Sequence, residues 1–174
     1  VVEAGPFKVS FAPVSHSIPE ASGLVIDTDA GRVIHSGDFK IDRVPVVGEA
    51  FDEDMWREIA AEGVLAYVCD STNVFSRHPG RSESELPPQI TELVANARGM
   101  VVATTFASNI ARLQTLADAG IAAGRSICLM GRAMQRMVKA GREAGVLTDF
   151  PTTVSPEDAL DIPRESLMLI VTGS

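Results

Sequence analysis

Beyond Gly63 the chain settles into a rhythm that leaves few folds open: VLAYVCD, MVVATTF, SICLMG and LMLIVTG, four short apolar runs separated by stretches of helical periodicity. Short apolar runs of this kind read as strands. Their alternation with helices implies a parallel sheet with helical crossovers. Pro87 and Pro88 are tolerable only near a helix start, so the first crossover helix is expected over 88–97, with Gly99 ending it. The second should begin at the N-cap pair Ser108-Asn109 and the third after Gly131, while Ser155-Pro156-Glu157-Asp158 starts a last short turn.

The preceding part has a different pattern. FKVSFAPV alternates, with Phe7, Val9 and Phe11 on one face, and is expected as a strand entering a core edge that runs out at Ser15-His16. GLVIDT and RVIHSGD, joined by Asp29-Ala30-Gly31, have the form of a hairpin with Asp38 just beyond it. DEDMWREIAAEG carries early carboxylates suited to a helix N-terminus and Gly63 as its stop. The composition shift over 74–88, VFSRHPGRSESELPP, is the best internal boundary.

With 174 residues the chain can bury a core, and no window approaches the roughly 18 apolar residues of a membrane span. A formal net charge of -8 argues against a broad electrostatic grip on nucleic acid, although a few phosphates need only a local positive field. VVEAGPFKV reads as neither a signal peptide nor a natural start, so an internal piece is expected. Cys69 and Cys128 lie in apolar runs without a CxxC partner, which favours reduced, buried thiols and a cytoplasmic location.

Several residues could carry chemistry. His16 and Asp38, each at a strand end, are types that ligate divalent metals, although a loop histidine and a turn aspartate account for the same spacing. Asp70 ends a predicted parallel strand, where such sheets place ligands, and an Asx turn competes with that role. Ser108 and Asn109 open a helix where free N–H groups suit a phosphate, and simple N-capping competes. Arg132, at the next helix start, offers a guanidinium that can bind phosphate bidentately or stand solvated. His35 is expected to be a partly buried strand histidine, His78 solvated, and Met134, Met137 and Val138 a packing stripe. No GxSxG elbow, P-loop or GxGxxG is present.

In identity and order, HSIPE, HSGDFKID, DSTN, SESE, TFASNIAR, GRAMQRMVKAG and LMLIVTGS resemble the ribonuclease J family, of the β-CASP branch of the metallo-β-lactamase superfamily. The resemblance implies an α/β chain: part of a metallo-β-lactamase αββα fold over 1–75, then most of a Rossmann-like β-CASP domain over 76–174, a parallel sheet with flanking helices. It also implies a two-zinc hydrolase of RNA phosphodiester bonds, working as a 5′ exonuclease, an endonuclease or both. By the same resemblance His16 is a metal ligand, Asp38 bridges the two metals, and Asp70 supports proton transfer by orienting a histidine absent here. Ser108, Asn109 and Arg132 fall in the half that faces RNA.

There are departures from the family pattern. HxHxDH and the later family histidines are absent, Glu20 stands where HSIPD is common, and Ala111 stands where FASNIHR has histidine. With two of the metal ligands present, this chain alone is expected to be inactive. A non-catalytic RNA-binding module and a related hydrolase acting on DNA are the other readings, and the oligomeric state, a homo-oligomer included, is left open.

Overall fold

The computed structural model describes residues 1–78 and 80–172. The chain divides into two units, Val1–Ser82 and Glu83–Ser174.

The first unit is a five-stranded sheet ordered β1 (Val2–Ala4), β2 (Phe7–Pro13), β3 (Ser22–Thr28), β4 (Gly31–His35) and β5 (Ala66–Val68), with one α-helix, α1 (Glu53–Ala61). Strands β1 to β4 are joined antiparallel, and β5 pairs parallel with β4. The expected hairpin is β3–β4, and Gly31 at its turn has φ 134°, a conformation L side chains rarely adopt. Asp52 caps α1 by accepting from the Met55 N–H at 3.0 Å. Arg32 ties the helix to the sheet: its Nη1 donates to the Ile59 carbonyl at 2.8 Å, and it pairs with Asp27 and Glu62. Among the described residues this unit holds one sheet and one α-helix, so the αββα arrangement expected over 1–75 is not seen in it.

The sheet face carrying Ala12, Val25 and Ile34 is the buried one, and the Trp56 ring lies against it at Gly23. The opposite face corrects an expectation: Phe7 is 47% and Phe11 60% exposed, with Val9 half-buried between them. Alternation identified two faces correctly but not which of them the single helix covers. VLAYVCD likewise departs from the four-strand reading. Its strand, β5, joins the first sheet, and Tyr67, Val68 and Cys69 are exposed there, so of the two free thiols only Cys128 is buried. His35 is exposed rather than partly buried, because β4 ends at that residue on the open face.

The second unit is a parallel sheet of three strands ordered β6 (Val101–Thr105), β8 (Leu167–Thr172) and β7 (Ser126–Met130). Its helices are α2 (Pro87–Asn96), α3 (Ile110–Ala122) and α4 (Arg132–Glu143). The central strand β8 and its neighbour β7 bury Met168, Ile170, Ile127 and Cys128, and α3 contributes Leu113 and Ala117 to this core. The three helices lie within a residue or two of the positions their caps and prolines imply, but with β5 in the other sheet only α3 and α4 cross between strands of this one. Ser155 accepts from the Asp158 N–H at 3.0 Å, opening the expected last turn, Asp158–Asp161.

Candidate functional site

In the first unit, β2 and β4 are each antiparallel to β3, and β5 is parallel to β4, so all three run the same way and end at one rim. His16 follows β2, Asp38 follows β4 and Asp70 follows β5. Backbone hydrogen bonds hold these loops together. The Lys40 N–H donates to the Ser15 carbonyl at 2.7 Å, and the Ser36 N–H donates to the Val68 carbonyl at 2.9 Å. The Asp70 N–H in turn donates to Ser36 Oγ at 3.0 Å. Three residues distant in sequence thus stand at one strand-end rim, the place where open sheets expose unpaired backbone and side chains to a ligand.

The Asp70 carboxylate is the most elaborately held. Its Oδ1 accepts from Thr72 Oγ1 at 2.6 Å and from the Thr72 N–H at 2.8 Å, closing an Asx turn. These hydrogen bonds hold its carboxyl below the ordinary carboxylate range, with smaller contributions from the Phe39 backbone N–H and the nearby His16. The Asx turn and the rim position therefore coexist. Ser36, Phe39 and Thr72 are residues that the sequence reading did not single out. The Asp-Ser-Thr turn signalled Thr72, but nothing local signals Ser36, whose role depends on the pairing of β4 with β5.

His16 is half-buried and Asp38 exposed. His16 lines a cavity of about 260 Å³ with Glu20 and Glu49, and Glu20 has φ 58°, a strained value for a residue other than glycine. Among the described residues no group of three or more His, Cys, Asp or Glu could hold a metal ion. A protein zinc site takes three or four protein ligands, so the donors of this chain do not by themselves fit a resident zinc.

The second unit has its own rim. Because β6, β8 and β7 are parallel, the loops after β6 and β7 emerge at the same end, roughly 10 Å apart across the intervening strand. They carry Ser108 and Asn109 on one side and Arg132 on the other. Asn109 is buried and its Oδ1 accepts from the Arg112 N–H at 3.0 Å, capping α3. Ser108 is half-buried, and Arg132 is exposed at the first position of α4. Arg112, in the first turn of α3, forms a two-pronged pair with Glu83 at 3.0 and 2.9 Å, which fixes the SESE segment against the start of α3. Gly173 and Ser174 lie outside the described residues.

Residues 98–174 match the family "Ribonuclease J, beta-CASP domain". With its parallel three-stranded sheet and flanking helices, the second unit is a beta-CASP-type α/β unit. Nearly the whole chain is similar to curated Ribonuclease J proteins. It is 41% identical over 173 residues to a Ribonuclease J of Sinorhizobium meliloti, covering 99% of this chain and 31% of that protein. It is 38% identical over 173 residues to a Ribonuclease J of Corynebacterium glutamicum, covering 99% of this chain and 24% of the relative. A Ribonuclease J of Thermus thermophilus is 34% identical over 170 residues, with 97% of this chain and 29% of that protein covered. The chain thus spans less than a third of the length of these curated relatives. A crystal structure of a protein of unknown function from Enterococcus faecalis shares the fold, with TM-score 0.63 at 14% identity, over 99% of this chain and 43% of that one.

Proposed function

We propose that this chain is a segment of a ribonuclease J-like hydrolase that cleaves phosphodiester bonds in RNA in the cytoplasm. The observation that carries the reading is the convergence of His16, Asp38 and Asp70 on one strand-end rim, in a chain similar to Ribonuclease J over nearly all its length. In this reading His16 and Asp38 are two of the donors for a zinc pair whose other ligands lie outside this sequence. The metals would supply an activated hydroxide and polarise the phosphate when bound. Asp70, held ionised by Thr72 and Phe39, would orient a proton-carrying group beside the rim. Ser108, Asn109 and Arg132 would meet RNA phosphates; for Asn109, whose Oδ1 is committed to the α3 cap, that contact would come from elsewhere on the residue or its loop.

The deciding experiment takes the longer protein that contains this sequence, with zinc, and offers it 5′-monophosphorylated RNA and the matching DNA. RNA cleavage that is lost with a chelator and strongly reduced by Asp38→Asn and Asp70→Asn supports the reading. Absence of cleavage with metal present overturns it, and preference for the DNA would move the assignment to a related hydrolase. On its own the 174-residue chain should hold zinc only weakly, and two tightly bound zinc ions per chain by elemental analysis would contradict that.

A further inference from the structure

Helix α4 has two faces of opposite character. Met134, Val138 and Gly141 are buried, whereas Arg132, Arg136 and Lys139 are all exposed. At 3.6 residues per turn these three cations fall within roughly 60° of one another, on the side away from the core. Together with Arg142 they make up half of the basic residues in 83–174, within a chain of net charge -8. Arg142 is engaged otherwise: its guanidinium donates to the Phe150 and Pro151 carbonyls at 2.7 and 3.0 Å and lies over the Phe150 ring. The stripe is therefore the three residues that begin at the rim of the second sheet and run down the outer surface of α4.

Helix stability does not explain this placement. No acidic residue lies in the first turn of α4, where a negative charge would suit the dipole, and the sequence places Arg132 there instead. Nor are the cations absorbed by neighbours. Among the described residues the ion pair recorded for the stripe is Lys139 with Glu143 at 3.8 Å, both largely exposed, an arrangement worth little in water. From Arg132 to Lys139 the helix rises about 10 Å, the distance that about three stacked nucleotides span along one strand.

We infer that Arg136 and Lys139, continuing from Arg132, form a phosphate-tracking stripe on the outer face of α4 that carries a single RNA strand away from the rim of the second sheet. The inference rests on the RNA reading above and adds a binding surface to it. Its contribution is electrostatic, affecting affinity and salt dependence without reading sequence.

The test is binding by the full 174-residue chain to a fluorescent single-stranded oligoribonucleotide, followed by anisotropy over a salt series, for the parent and for Arg136→Gln/Lys139→Gln. Both positions are exposed, so circular dichroism and thermal melts of the double variant should match the parent. The double variant should bind on the order of tenfold more weakly at low salt, and the slope of log affinity against log salt should fall by about 1.4, about 0.7 for each lost phosphate contact. Unchanged affinity and slope in the double variant overturn the inference, as does failure of the parent chain to bind RNA at low salt. So does a finding that the two substitutions abolish binding to anionic lipid vesicles but leave RNA binding intact. Cleavage by the longer protein remains the separate test of the nuclease reading, so the two can fail independently.

Discussion

The Asp70 backbone N–H donates to the hydroxyl of Ser36 at 3.0 Å, joining the loop after β5 to the loop after β4. Ser36 is 2% exposed, and its Oγ also donates to the Gly37 carbonyl at 2.6 Å. Ser36→Ala removes both bonds and leaves groups in a part-buried setting without a partner, at a cost of about 1 kcal/mol. Urea denaturation should show a lower midpoint, and in the longer protein the variant should lose activity beyond what that loss of stability explains, because Asp70 is no longer held. A midpoint and activity equal to the parent's would show that the bond does not position Asp70.

The depressed pKa of Asp70 sets a direction for pH dependence. Its folded value lies below the ordinary carboxylate value near about 3.9, so the contribution of its hydrogen bonds to stability is fully present above that unfolded value. It is lost as pH falls through the lower, folded value. An NMR titration of the Asp70 carboxyl should place its midpoint below that of an unstructured aspartate, and Thr72→Val should move it upward by removing the hydroxyl bond at 2.6 Å. A midpoint unmoved by Thr72→Val would refute the assigned cause.

Arg125 is 5% exposed and fastens the lower end of the second sheet. Its guanidinium donates to the Ala97 carbonyl at 2.6 Å, the Gly99 carbonyl at 2.7 Å and the Leu167 carbonyl at 3.4 Å, and its buried Nε has no hydrogen-bond partner among the described residues. Arg125→Met should destabilise the protein by about 2 to 4 kcal/mol, since three carbonyls lose a charged donor. Arg125→Lys should recover only part of this, because an ammonium cannot reproduce the planar fork. Denaturant unfolding of the two variants gives the comparison, and full recovery by lysine would show that charge alone suffices.

Gly120 lies within α3 where a Cβ would meet Ile127 Cδ1 and come within 2.9 Å of Met168 Sδ. Glycine in a helix interior ordinarily costs stability, so Gly120→Ala would be expected to help on propensity alone. Here overpacking against the buried β7 and β8 side chains should dominate and destabilise by about 1 to 3 kcal/mol. A raised melting temperature for Gly120→Ala would mean that the core yields more readily than its packing implies.

The sequence by itself determined the elements whose signals are local. The caps Asp52, Asn109 and Ser155, the paired prolines at the start of α2 and the hairpin turn at Gly31 all stand where their chemistry placed them. Their energetics depend on neighbours a few residues away, so no knowledge of the fold was needed. The candidate residues at strand ends were legible for the same reason. Tertiary structure alone decided that VLAYVCD leaves the three strands it rhymes with and pairs with β4, which is what brings Asp70 to the rim shared by His16 and Asp38. It also decided that the Phe7, Val9 and Phe11 face stands open while Ala12, Val25 and Ile34 are buried, and that Ser36 and Arg125 are structural anchors. Sheet membership and the choice of covered face rest on contacts between residues tens of positions apart, and periodicity along the chain holds no record of them.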